Sequence, residues 1–290
     1  MSESSKIPVL VMLFFVMVVQ ILALAITPAI SASGNRVFED PTSIANPIAY
    51  MLLILVFTAL LLLAMKLKRG WIISGFILLS IAVSIYYVMV AFMSPLLAIA
   101  PTLAIMLLLH FYPEWYIIDA FGILVCAGIS SLFGVSMTIL PALLLLVVLA
   151  VYDAISVYKT RHMISLAEGA IKIKAPMLFV VPKSRDYSFR IDQEISSSSD
   201  ETRKRGAYFL GLGDAIIPTI LVISAGWSLP AGGFYGLSLP VLGAMLGTYL
   251  GFLLLMTTSR DRPQAGLPFL NSGVILGFLV GCLAAGVRPI

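Results

Sequence analysis

The sequence predicts an all-α, polytopic membrane protein with nine transmembrane helices. Of its 290 residues, 60% are hydrophobic and only 11% are charged. The apolar residues fall into runs long enough to cross a bilayer, and the charged ones gather between the runs. This composition leaves nothing over for a sizeable water-soluble domain. The net charge of +4 does not point to nucleic acid, because most Lys and Arg flank apolar runs as topology determinants do. The lipid bilayer is therefore an expected partner and nucleic acid is not.

Taken in order, the runs place spans at about 8–29, 47–65, 71–93, 95–110, 117–134, 137–158, 206–227, 233–257 and 266–287. The first follows Lys6 and precedes Ser31-Ala32-Ser33-Gly34, the outline of a signal peptide; its apolar core is too long for one, so it reads as a retained span. The fourth and fifth are short, and Pro95 and Pro101 interrupt the fourth. Alternating the loops puts Lys6, the Lys66, Lys68 and Arg69 cluster, ten Lys or Arg from Lys159 to Arg205, Arg260 and Arg262 on one side, and only Arg36 and Arg288 on the other. Sixteen basic residues against two make the N-terminus cytoplasmic and the C-terminus external.

The chain thus divides into residues 1–158, a cytoplasmic loop at 159–205, and residues 206–290. Within the loop, Met163, Leu166, Ala167, Ala170 and Ile171 recur at helical spacing and predict an amphipathic interfacial helix. Pro176 to Pro182 is a β-prone run between prolines. Ser196 to Arg205 is polar and reads as a connector.

Two acids interrupt the apolar pattern: Asp153 near the end of the sixth span and Asp214 near the start of the seventh. A charge in hydrocarbon costs about 3 kcal/mol or more, so intramembrane acids mark functional sites. Consecutive spans run in opposite directions, which brings both acids to one side, roughly 9–13 Å below the surface at the helical rise. Facing carboxylates at one depth can share a proton and activate water. On burial alone, two acids lining a proton or ion path explain them equally well.

The remaining chemistry-bearing residues rank lower. Asp119, close to Glu114, Trp115 and Tyr116, reads as interfacial beside an aromatic belt. Cys126 and Cys282 lie in apolar runs and read as packing residues. His110 and His162 form no HExxH pair, which excludes a zinc protease. Gly128 to Ser131 has the look of a serine nucleophile motif, but no mid-span histidine can serve as its base. No metal and no cofactor are expected.

Gly211-Leu212-Gly213-Asp214 is a GxGD sequence whose glycines let another segment come close to the acid. Pro218 lacks the N–H that would bond the carbonyl of Asp214, loosening the helix there. Tyr152-Asp153 is a second short motif. Pro268-Phe269-Leu270 opens the last span, where proline predicts an irregular backbone before the helix.

In these motifs, in this order across the whole chain, the sequence resembles the presenilin and signal peptide peptidase family of GxGD intramembrane aspartyl proteases. In length it is most similar to compact archaeal presenilin homologues. The resemblance implies the presenilin-type fold, a prokaryotic cell membrane, and catalysis by Asp153 and Asp214. Tyr152, Gly211, Leu212, Gly213, Pro268, Phe269 and Leu270 are implied as active-site support. Substrates would be transmembrane segments of single-span proteins; a homo-oligomer is compatible with the sequence but not required by it. The family's third motif is usually Pro-Ala-Leu, so Phe269 departs from it and bears on cleft width. The substrate helix must unwind to expose its bond, with Pro176 to Pro182 and Pro268 to Leu270 as strand partners.

Three other readings explain less. Prepilin or preflagellin peptidases also carry a GxGD acid but have fewer spans and lack this motif order. A proton-coupled transporter or leak channel using both acids predicts internal repeats, and none is evident. A purely structural role leaves both acids unexplained.

Overall fold

The computed structural model describes residues 3–66, 70–159, 178–183, 207–229, 237–258 and 264–289. Among them nine α-helices follow one another: α1 (Glu3–Ala32), α2 (Ala45–Lys66), α3 (Gly70–Val90), α4 (Pro95–Phe111), α5 (Trp115–Ser136), α6 (Ile139–Ala154), α7 (Leu212–Ser228), α8 (Leu239–Thr258) and α9 (Gly266–Ala285). Six contain apolar stretches of at least 18 residues, enough to cross a membrane, while α4, α7 and Gly75–Val90 of α3 are shorter. The amphipathic helix expected at 163–171 and the polar run 196–205 lie outside the described residues, as does the expected start of the eighth span at 233–236.

A two-stranded antiparallel sheet precedes α7. Strand β1 (Leu178–Pro182) pairs with β2 (Ala207–Gly211) from Leu178 opposite Gly211 to Pro182 opposite Ala207. This corrects the expectation of a helix from residue 206. Tyr208, Phe209 and Leu210 suit a pleated surface, and β1 offers them a paired edge. The helix begins only at Leu212, which is why α7 is short.

The helix α5 is the hub, touching α1, α3 and α7. Its small and hydroxyl residues recur every four positions, so they form one face. Ser130 Oγ donates to the Ile216 carbonyl of α7 at 3.2 Å, and Ser131 Oγ donates to the Ala23 carbonyl of α1 at 2.8 Å. One turn further, the Ile223 side chain fills the space that a Cβ on Gly134 would need. Small residues let membrane helices approach closely where no hydrophobic drive separates protein from lipid. Val16, Val19 and Ala23 of α1 are fully buried, so the first helix is part of the core.

A second close contact joins α8 to α9. A Cβ on Gly243, Gly247 or Gly251 would strike the carbonyl of Gly277, Gly273 or Phe269 respectively. Backbones at this separation can exchange Cα–H···O contacts. Phe278 and Val274 of α9 then fill the core with Leu145 and Leu149 of α6 and Leu221 of α7. Asn271 Nδ2 donates to the Leu146 carbonyl at 2.8 Å, fixing α9 on α6.

At the other end of α5, the α1–α2 loop is clasped to the α5–α6 turn. The Val37 N–H donates to Ser136 Oγ at 2.8 Å and the Thr138 N–H to the Pro41 carbonyl at 2.9 Å. Beside it, the side-chain hydroxyl and backbone N–H of Thr42 hold the Asp40 carboxyl below the usual carboxylate range.

Replacing Gly247 by Val should force α8 and α9 apart and destabilise the protein by about 1–3 kcal/mol, the usual cost of overpacking. Gly75→Ala is the control, since a Cβ there meets nothing within 4 Å, and it should leave stability unchanged or slightly raised. Thermal unfolding of the detergent-solubilised variants checks both; equal melting temperatures would show that the glycine contact is not structurally important.

Candidate active site

Asp153 lies in the last turn of α6 and is 7% exposed. Directly after it the helix widens into a π-helical turn, Ile155–Lys159, a distortion often found at functional sites. Asp214 is the third residue of α7, following the cap Gly211. An acid in the first turn complements the positive end of the helix dipole. Pro218 lies inside α7, so the amide that would bond the Asp214 carbonyl is absent.

Both acids converge on the start of α9. The Leu267 N–H donates to Asp153 Oδ2 at 3.1 Å. A Cβ on Gly266 would lie 3.0–3.1 Å from the carboxylate atoms of Asp214. The dipeptide Gly266-Leu267 therefore touches both side chains. Amides of a first helical turn have no intrahelical acceptor, which makes Leu267 an available donor in hydrocarbon surroundings.

The π-helical turn contributes to the same arrangement. It carries Tyr158, whose hydroxyl donates to Gln264 Oε1 at 2.6 Å and accepts the Ala265 N–H at 3.3 Å. Tyr158 thus holds the residues that lead into Gly266.

The third motif departs from its expected form. Pro268 to Leu270 lie within the first two turns of α9, not in an irregular segment before it. Proline is tolerated there because its missing N–H has no helical acceptor to lose. A helical segment cannot serve as a strand partner, so that expectation falls. Leu270 is buried with Leu210, Ala215 and Phe252, which seats α9 against the GxGD helix. The Phe269 carbonyl lies on Gly251, and its side chain is partly buried. Tyr152 reaches α2 through a hydrogen bond from its hydroxyl to Thr58 Oγ1 at 3.3 Å.

The sheet lies against this site with each strand buried on both faces. Phe179 and Val181 of β1 join Leu210 and Met12 in one apolar cluster, while Val180 joins Ala207, Ile85 and Ile118 in another. Gly122 of α5 makes room for both the Phe179 ring and the Leu212 side chain, which a Cβ would approach to 3.2 and 3.3 Å. One turn on, Cys126 Sγ donates to the Leu212 carbonyl at 3.6 Å. Asp119 is enclosed by the protein: it is 3% exposed, and its Oδ1 accepts the Val180 N–H at 2.8 Å.

Two adjoining cavities open between the helices near the GxGD segment. One of about 330 Å³ is lined by Ser84 and Ile85 of α3, Val125 and Ile129 of α5, and reaches Gly211 and Gly213. Gly213 faces open space, since a Cβ there would meet nothing within 4 Å. The other, about 260 Å³, holds Tyr50, Tyr87 and Gly128 and shares Ser84 and Ile129 with the first. Together they trace an apolar path along α3 and α5 to the glycines before Asp214.

Sequence reasoning missed Gly266, Leu267, Tyr158 and the burial of Asp119. A signal for the first two was present: a proline at 268 predicts a helix starting just before it, and the first amides of that helix must seek acceptors. Nothing local marks Asp119 as buried, because its partner is 61 residues away.

A sequence model of the family described as signal-peptide peptidase, presenilin aspartyl protease matches residues 12–287. No curated protein matches the chain. Two solved structures of a presenilin family intramembrane aspartate protease, in space groups C222 and P2, are similar at a TM-score of 0.66 and 35% identity. Each likeness covers 96% of this chain, and 99% and 98% of the respective structures. The family match over nearly the full length and the likeness in both sequence and fold agree with two carboxylates converging on one backbone segment within an apolar bundle: the chain belongs to the signal-peptide peptidase and presenilin family of aspartyl proteases.

Proposed function

We propose that this protein cuts peptide bonds within transmembrane segments, with Asp153 and Asp214 as the catalytic pair. The observation that carries this is the convergence of both carboxylates on Gly266 and Leu267. Two adjacent carboxylates in apolar surroundings cannot both ionise cheaply, so the pair works with one proton between them. The ionised member takes a proton from water as the water oxygen bonds to the peptide carbonyl carbon. The protonated member gives its proton to the carbonyl oxygen. Collapse of the resulting diol breaks the C–N bond: the protonated member gives its proton to the departing nitrogen while a diol hydroxyl gives its own to the ionised member, so the pair again holds one proton. Both acids come from one chain, so the chemistry needs no second copy.

The substrate class follows from the path to the pair. The apolar groove along α3 and α5 suits a helix, whose bonds are hidden until it unwinds; the sheet beside Asp214 offers main-chain hydrogen bonding to an extended segment. Tyr152, Gly211, Leu212, Gly213 and the Pro268 to Leu270 turn support the pair by packing and spacing. The charge distribution favours a cytoplasmic N-terminus; the resemblance to compact archaeal presenilin homologues supports a prokaryotic cell membrane and, with that orientation, single-span substrates with an external N-terminus.

Asp153→Asn and Asp214→Asn should each abolish cleavage of a single-span substrate in proteoliposomes while leaving the melting temperature close to wild type, because one carboxylate cannot act as base and acid together. The wild-type kcat/KM should fall on both sides of a pH optimum, since only the singly protonated pair is active. Turnover by either variant, or a profile flat from about pH 4 to 9, would remove the dyad.

Ser84→Trp should narrow the groove where the two cavities meet. A steric cost of about 1–3 kcal/mol to substrate entry corresponds to a roughly 5- to 150-fold fall in kcat/KM. Wild-type kinetics would place the substrate path elsewhere.

Single cysteines report the topology, once Cys126 and Cys282 are replaced. One placed in the Ser196 to Ser199 run should react with an impermeant thiol reagent only from the cytoplasmic side, and one after Arg288 only from outside. The reverse labelling pattern would invert the orientation and with it the substrate class.

A further inference from the structure

We propose that Asp119 is a positioning residue that closes the outer edge of β1 and sets the register in which an unwound substrate meets the catalytic pair. The inference rests on the protease reading and adds a residue to it.

A buried acid outside the catalytic pair needs an explanation, because burying a carboxylate is costly unless something compensates it. Asp119 has a single hydrogen bond among the described residues, from the Val180 N–H to Oδ1 at 2.8 Å. Its Oδ2 is buried with no hydrogen-bond partner. The position of the bond supplies the reason.

Val180 is the central residue of β1, opposite Phe209 of β2. In an antiparallel pair the N–H groups of a strand alternate between its partner and its other edge. The N–H that Asp119 accepts is one that β1 turns away from β2. An exposed edge of this kind is a template for another strand. Asp119 occupies it at its midpoint, so an extended peptide cannot pair there and must meet the sheet from the side of β2, the strand continuous with Gly211 to Asp214.

The same bond fixes register. Residues of β1 alternate between two apolar clusters, with Phe179 and Val181 on one side and Val180 on the other. A slip of one residue would exchange those faces. Asp119 and Gly122 are one turn apart on α5; the first holds the Val180 backbone and the second receives Phe179 and Leu212. A single helical turn therefore sets the height of β1 relative to the GxGD segment, and thus which peptide bond of a paired substrate lies at the acids.

The test compares wild type with Asp119→Ala, Asp119→Asn and Asp119→Glu as full chains in lipid bilayers. It measures KM, kcat and product masses with one single-span substrate, and amide hydrogen exchange of the 178–182 segment. Asparagine keeps an acceptor oxygen in place without the charge; glutamate keeps the charge but displaces the carboxylate by about 1.5 Å. The expected result is a roughly tenfold rise in KM, shifted cleavage sites and faster exchange of β1 for alanine. Asparagine should approach wild type on all counts, and glutamate should retain turnover with shifted sites. A role in stability alone would lower kcat in proportion to the folded protein lost, leaving KM and sites unchanged, and that outcome would overturn the proposal. Wild-type sites from both alanine and glutamate would do the same. If the alanine variant cannot be recovered, the contrast of asparagine with glutamate decides. Failure of the wild type to cleave would instead remove the protease reading, while unchanged exchange of 178–182 in the alanine variant would separately remove the role of Asp119.

Discussion

The structure depends on keeping two carboxylates inside an apolar bundle. That is expensive, and the compensation comes from a backbone: the first residues of α9, where a glycine admits one acid and a main-chain N–H binds the other. Side-chain partners would bring their own desolvation cost, whereas a first-turn amide needs an acceptor in any case. The arrangement explains why the motifs lie so far apart in sequence. The acids come from α6 and α7, and the backbone that holds them comes from the last helix, so the site exists only when the whole bundle is assembled.

The helix α5 supplies the second constraint. Along one face it meets β1 and the catalytic helix through Asp119, Gly122, Cys126, Ser130 and Gly134. The two hydroxyl and thiol donors bond carbonyls that already belong to α7, so they position that helix without unwinding it. The sulfur contact is the weaker of these, and the glycines do the rest by admitting side chains at close range. Apolar burial alone would allow α7 to slide or rotate against α5; directional contacts at successive turns remove that freedom.

Much of this was legible in the sequence. Helix number, the pairing of Asp153 with Asp214 on one side, and the family follow from apolar run lengths, charge placement and motif order. These are local or periodic signals, and a bilayer makes them strong because every spanning segment must satisfy its own backbone. The illegible parts depend on partners distant in the chain. Residues 207–211 are as apolar as a helix start, and only β1 makes them a strand. Pro268 reads as a breaker and predicts an irregular backbone, yet it lies in the first turn of α9, where proline costs a helix least. Asp119 lies near the end of its span, and the strand that encloses it lies beyond a long connection.

The glycine contacts between α8 and α9 have a mechanical consequence. Two helices in backbone contact at three successive steps tilt as one body, because sliding or rolling one against the other would drive carbonyls into α-carbons. Helix tilt in a bilayer responds to hydrophobic thickness, and the N-terminal end of α9 in this paired beam carries the amide bound to Asp153. A tilt of the paired beam would therefore carry the Leu267 amide with it, rather than being absorbed between the two helices.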